Sequence, residues 1–204
     1  MVVMPDVKRS DVRKLRVLLI DHSVGRAAIL ERALQDAGYV VAAKLTGVMN
    51  LYKEVERIEP DVIIIDLESP DRDMLEQMRE ISRDRPKPVV MFAEDDDSDT
   101  IRQAVKAGVS AYVVDGLSAK RVKPLMEVAI ARFREYQALR EELLHAKVSL
   151  AERKLVEKAK GLLMQRRGMS EDEAYKALRK MAMDGNRRLA EVAENILAVA
   201  NILI

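Results

Sequence analysis

At 204 residues with an ordinary apolar share, the chain has room for two small domains. It holds no cysteine, which excludes disulfides, thiolate metal sites and cysteine nucleophiles, and its two histidines, His22 and His145, lie too far apart for a helical metal pair. The formal net charge of +1 is unevenly divided: residues 1–124 carry 20 Lys and Arg against 22 Asp and Glu, whereas residues 147–204 carry 12 against 8, which points any anionic partner toward the C-terminal part.

The opening "MVVMPDVKRSDVRK" puts Pro5 and charges where a secretory signal keeps an apolar core. No apolar run approaches the roughly 18 residues that a membrane-spanning helix needs. The expectation is a cytoplasmic protein with no membrane segment and a tail over residues 1–14. Runs of β-branched and apolar residues then recur at 16–20, 40–45, 61–66, 88–93 and 111–114 and read as buried strands. Between them lie helical-period segments at 23–37, 48–58, 72–84 and 98–107, with another from 118 onward. This alternation predicts an α/β doubly wound parallel sheet, whose working residues lie beyond the carboxyl ends of its strands: Asp21, His22, Asp66, Ala93 and Asp115. The acidic run "AEDDDSD" at 93–99 lacks the glycine and distal glutamate of a calcium-binding loop and reads as a helix-capping loop.

The pieces "RVLLIDHS", "DVIIIDLESPDRD", "VVMFAE" and "SAYVVDG" resemble the framework of a two-component receiver domain over residues 15–130. The resemblance implies that Asp66 stands at the phosphoacceptor position and that Asp21 is the first of two acids that hold Mg²⁺. The rest of the pocket departs from the family pattern. His22 stands at the second acid, Ala93 has no hydroxyl where a Thr or Ser is usual, and Asp115 puts negative charge where a Lys would meet the phosphoryl group. Mg²⁺ would have only Asp21 and Asp66 to hold it, and the expectation is a receiver with no cofactor in which Asp66 is not used as a phosphoacceptor.

From Lys120 the chain runs without glycine to Gly161, with Pro124 early enough for a first helical turn. Tyr136, Leu139, Leu143, Ala146 and Leu150 step by three and four, a short heptad seam over 131–149 that suits either a coiled-coil homodimer through residues 131–150 or packing on the chain's own domain. Three helical units follow at about 150–166, 171–182 and 187–202, with Ser170 and Glu173 as a capping box for the second. Their apolar stripes predict one small core: Leu155, Ala159, Leu162 and Leu163; Ala174, Ala177, Leu178 and Met181; Leu189, Val192, Ala193, Ile196 and Leu197. Met164, Met181 and Met183 read as packing fillers, and Tyr175 takes a helical position at the core or its edge.

The remaining bases form faces: Arg153, Lys160 and Arg167 at sevens on the first helix, Lys176, Arg179 and Lys180 on the second, Arg187 and Arg188 at the start of the third. The pieces "AKGLLM", "EAYKALRKMAM" and "NRRLAEVAE" resemble an ANTAR domain, the RNA-binding module of AmiR- and NasT-type transcription antiterminators, and the whole chain is similar to the NasT branch. The resemblance implies recognition of paired leader-mRNA hairpins by residues 150–204. It also implies control of the receiver by an inhibitory nitrate/nitrite-sensor protein of NasS type. Lys160 and Arg179 then read as loop contacts, and Arg167, Lys180, Arg187 and Arg188 as phosphate contacts. A DNA-binding or phosphorylation-dependent response regulator is the alternative, weakened by a last helix, "LAEVAENILAVANILI", too apolar to enter a major groove. An adaptor whose tail only dimerises is another. An enzyme is not expected, because no strand-end site assembles beyond Asp21 and Asp66.

Overall fold

The structure is a computed structural model that describes residues 14–47, 50–114 and 119–202. Five strands, β1 (Arg16–Asp21), β2 (Val40–Leu45), β3 (Val62–Leu67), β4 (Val89–Ala93) and β5 (Ala111–Val114), form one parallel sheet in the order β2-β1-β3-β4-β5. Side chains alternate across such a sheet, so each central strand supplies two cores. Leu18, Ile20, Ile63 and Ile65 pack with α2 (Leu51–Ile58), α3 (Arg72–Asp84) and α4 (Ser98–Lys106) on one face. Val17, Leu19, Val62 and Ile64 pack with α1 (Val24–Asp36) and the first turns of α5 (Ala119–Arg167) on the other. Each strand is followed by a helix, and the sequence-predicted doubly wound architecture is the one observed.

Local chemistry sets the helix starts. Ser23, Asn50, Asp71 and Asp97 each accept a backbone N–H from the first turn of the helix that follows. Asp97 takes two, from Asp99 and Thr100, so "AEDDDSD" caps α4 as its composition indicated. Gly108 ends α4 at φ +105°, and a Cβ there would fall 2.7 Å from the Ser82 side chain, so this turn requires glycine on both counts.

The chain divides into two compact units, one running to Tyr136 and the other beginning at Gln137. Helix α5 crosses that division without a break, and the linker helix and the helix predicted for 150–166 are a single 49-residue element. Pro124 is its sixth residue, beyond the first turn, so the helix forgoes the hydrogen bond that residue would donate to the Lys120 carbonyl. The tail expected over residues 1–14 lies, Lys14 apart, outside the described residues.

In the second unit, α5 ends at Arg167 and Gly168 turns the chain at φ +64°. Ser170 and Glu173 close the capping box of α6 (Glu171–Asp184), and α7 (Leu189–Ile202) follows a turn that includes Asn186 at φ +46°. Ala159, Leu163, Ala174, Leu178, Ala182, Val192 and Ala193 form the buried core, flanked by Leu155, Leu189, Ile196 and Leu197. Met181 is partly exposed, with Ala182 taking its place in the core, and Met164 and Met183 are exposed; none of these three methionines fills the core as the stripes suggested. The heptad seam is likewise exposed at Tyr136, Leu139, Leu143 and Leu150. Among the described residues no helix is long and apolar enough to cross a membrane.

Candidate nucleic-acid interface and receiver pocket

The register of β1 against β3 sets Asp21 directly beside Asp66 at the carboxyl end of the sheet, where the two carboxyls are 1% and 6% exposed. Asp21 accepts the Ser23 backbone N–H at 2.6 Å. Ala93 is buried at the end of β4 opposite Leu67 and offers no polar atom from its side chain. His22 is exposed, and Asp115 lies outside the described residues.

The group that sequence reasoning missed is Arg26, in the first turn of α1. Its Nε lies 4.0 Å from Asp21 Oδ1 and 3.8 Å from Asp66 Oδ2, and its Nη1 lies 3.4 Å from Glu94 Oε1. The first two separations give Coulomb attraction without hydrogen bonding, and Asp21 Oδ2 and Arg26 Nε are buried with no hydrogen-bond partner. The available signal was a base five residues beyond a strand-end acid, placed by the helix start at Ser23 to return over the strand end.

Receiver families imply Mg²⁺ at this position. Here two carboxylates face a guanidinium, and among the described residues no three His, Asp or Glu side chains converge to hold an ion. Mg²⁺ keeps several waters in its near-octahedral shell and is held through one or two carboxylates, so Asp21 and Asp66 are the side chains that would hold it, in competition with the Arg26 guanidinium.

Burial, and then the neighbouring Asp21 charge, raise the pKa of Asp66, with Arg26 opposing them and Glu94 adding to them. A carboxyl whose pKa is higher in the folded state costs the fold its charged form. That cost is absent below the usual carboxylate range and is fully present once pH exceeds the raised value. Asp66→Asn is therefore expected to raise the receiver's thermal midpoint at neutral pH, by an amount that shrinks as pH falls through the acid range. A lowered midpoint in calorimetry would show that the Asp66 charge is needed.

The second unit presents its bases in two ways. Arg167, Arg179, Lys180, Arg187 and Arg188 are exposed on α5, α6 and the approach to α7. Arg166, Arg167 and Arg187 line a cavity of about 360 Å³ whose remaining wall includes Leu162, Met181, Ile196 and Val199. Lys160 differs, and its assignment as an RNA contact is corrected. It is 7% exposed, and its Nζ donates to Glu157 Oε1 at 2.9 Å and to Glu171 Oε1 at 2.7 Å. Those hydrogen bonds, with the Glu171 bond the larger effect, hold its pKa above the ordinary lysine value. Lys160 thus ties α5 to the first turn of α6. Its neighbour Gly161 has open space where a Cβ would stand. Tyr175, expected at the core or its edge, is 43% exposed and is not among the buried core residues.

Comparison with known proteins follows the same division. Residues 17–125 match the response regulator receiver domain, and residues 144–197 match the ANTAR domain. The transcriptional regulatory protein PdtaR of Mycobacterium tuberculosis (strain ATCC 25618 / H37Rv) is 34% identical over 182 residues, 89% of each chain. A nitrate regulatory protein of Klebsiella oxytoca is 44% identical over 85 residues, which are 42% of this chain and 22% of that one. Among solved structures, a CheY-like receiver domain protein from Methanospirillum hungatei JF-1 superposes with a TM-score of 0.53 at 15% identity, covering 60% of this chain and 98% of that one, a likeness of fold alone. With both domains matched in this order, and with a relative alike across most of its length, the chain belongs to the response regulators that join a receiver domain to an ANTAR domain.

Proposed function

We propose that this chain is a cytoplasmic RNA-binding transcription antiterminator. In this reading its helical unit grips leader-mRNA hairpins, and a protein partner, rather than phosphorylation of Asp66, sets its activity. The observation that carries the reading is the set of exposed bases on the ANTAR unit, Arg167, Arg179, Lys180, Arg187 and Arg188, projecting from helices whose apolar residues are used in a separate core. Exposed cations on a small rigid unit neutralise phosphate and release counterions, while unpaired loop bases offer the edges and faces that a stacked duplex hides. No covalent chemistry is assigned to the chain, and no cofactor. Binding of the full-length chain to an RNA of two short hairpins, measured against duplex DNA of matched length, tests this reading; tighter binding to the DNA would replace it with the DNA-binding alternative.

On the receiver side, Arg26 faces Asp21 and Asp66 and offsets part of their charge within the fold, which supports a receiver kept for its surface. Similarity to the nitrate regulatory protein of Klebsiella oxytoca supports a nitrate- or nitrite-sensing partner of the NasS type. Co-purification with such a sensor, changing when nitrate is supplied, is the expected result; a chain that never captures one speaks against it. The exposed Tyr136, Leu139, Leu143 and Leu150 support a homodimer through residues 131–150. Its sign would be a two-chain mass in sedimentation that falls to one chain in Leu143→Glu.

A further inference from the structure

We propose that Tyr175 is a stacking platform for one unpaired base of the RNA loop, set in a built nucleotide-sized concavity of the ANTAR unit. The inference rests on the RNA-binding reading above and names a site within it. A concave surface of about 650 Å³ lies among α5, α6 and the start of α7, a volume within the roughly 300–1,000 Å³ range of small-molecule sites. Its walls include Tyr175, Arg153, Arg188 and Glu152, over an apolar floor that includes Val156 and Leu189.

Each group fits one part of a nucleotide. Tyr175 is the only Phe, Tyr or Trp between 150 and 204, it is exposed, and it lines this concavity. Among the described residues its hydroxyl has no hydrogen-bond partner, so nothing on the protein claims its polar end. An exposed ring face accepts any base by stacking.

Arg153 and Arg188 line the same concavity and bring positive charge to it. Arg188 is only loosely held, with Nη1 3.9 Å from Glu152 Oε1 and Nε 4.0 Å from Glu191 Oε1, on a side chain that is largely exposed. It is free to turn to the phosphate of a stacked nucleotide, where a charge-assisted hydrogen bond replaces two long ion pairs. That turn releases Glu152, whose carboxylate can accept from an exocyclic amino group on the base edge. Arg179 lies one helical turn beyond Tyr175 on the same face of α6 and extends this surface. A base within a duplex has both faces covered by its neighbours, so the concavity selects the splayed base of a loop.

The test uses the full-length chain and a two-hairpin RNA obtained by in vitro selection against it, with 2-aminopurine placed at each loop position in turn. The wild-type chain is expected to quench or shift one loop position strongly. Tyr175→Phe keeps the ring, and should keep both the signal and the affinity. Tyr175→Ala should lose that signal and bind on the order of 10- to 100-fold more weakly, the size of one lost base–aromatic stack. Tyr175→Leu keeps the apolar bulk without the flat face and is expected to match Tyr175→Ala, with circular dichroism unchanged, which separates stacking from folding. Tight RNA binding by the wild type with equal affinity for Tyr175→Leu overturns the platform and leaves the RNA-binding reading intact. Failure of selection to yield any bound RNA overturns both. Binding of free mononucleotides as tight as that of the hairpins, lost in Tyr175→Leu, would assign the concavity to a nucleotide effector and overturn its role in loop recognition.

Discussion

Leu178→Ala is expected to unfold the ANTAR unit and abolish RNA binding while the receiver stays folded. Leu178 is fully buried on α6 and is, with Leu163, one of the two leucines in a core otherwise made of Ala159, Ala174, Ala182, Val192 and Ala193. Truncating a buried leucine costs about 2–5 kcal/mol, from lost transfer energy and from the cavity left behind. Whole domains hold only about 5–15 kcal/mol, and small ones sit at the lower end because they bury less of their surface. One residue therefore carries a large share of this unit's stability. Calorimetry should show the ANTAR unit's transition moving far down or vanishing, with the receiver's transition in place because its two cores share no residue with this one. An unmoved transition would mean that α6 does not pack as described.

The second large effect separates two kinds of basic residue. Arg179→Ala is expected to cost roughly 1–3 kcal/mol for cognate hairpins and little for hairpins with scrambled loops, as removal of a base contact does. Arg188→Ala should weaken both RNAs alike and reduce the slope of log affinity against log salt by about 1, as loss of a phosphate contact does. Both side chains are exposed, so neither change removes core packing. Equal affinities for wild type and both variants at moderate salt, with helices intact, would reduce these bases to a solvated face. Lys160→Ala provides the contrast: it should lower the stability of the helical unit, because Glu157 and Glu171 lose their shared cation.

The sheet was legible in the sequence because its strands are short apolar runs such as "VLLI" and "DVIIID", bounded by glycine, proline and charge, and because strict alternation with helices leaves few topologies. That pattern put Asp21 and Asp66 at strand ends, whereas the register that pairs them is set by the adjacency of β1 and β3 in the sheet. Side chains that depend on a partner distant in sequence were not legible. Lys160 is buried because Glu157, one turn before it, and Glu171, beyond the Gly168 turn, converge on its ammonium; helical periodicity sees only the first. Tyr175 was placed near the core because Ala174 and Leu178 are its neighbours on α6. The core is built largely of alanines, which bring the helices close and leave no volume for a ring, so Tyr175 faces outward. Arg26 was not legible because the pattern of a metal site is one of acids and histidines, whereas the group facing the two aspartates is a cation from the following helix. The continuity of α5 was half legible: from Lys120 the chain is free of glycine up to Gly161, and that glycine is tolerated within the helix.

The central claim is that the chain relieves transcription termination by holding RNA hairpins, and in vitro transcription tests it most directly. A template carrying a two-hairpin leader followed by a terminator is transcribed with and without the full-length chain, beside a template whose loops are scrambled. The expected result is a rise in full-length transcript on the first template only, lost with Arg179→Ala and unchanged with Asp66→Asn. A chain that leaves readthrough unchanged while binding duplex DNA upstream, or that raises readthrough equally when the loops are scrambled, would contradict the account.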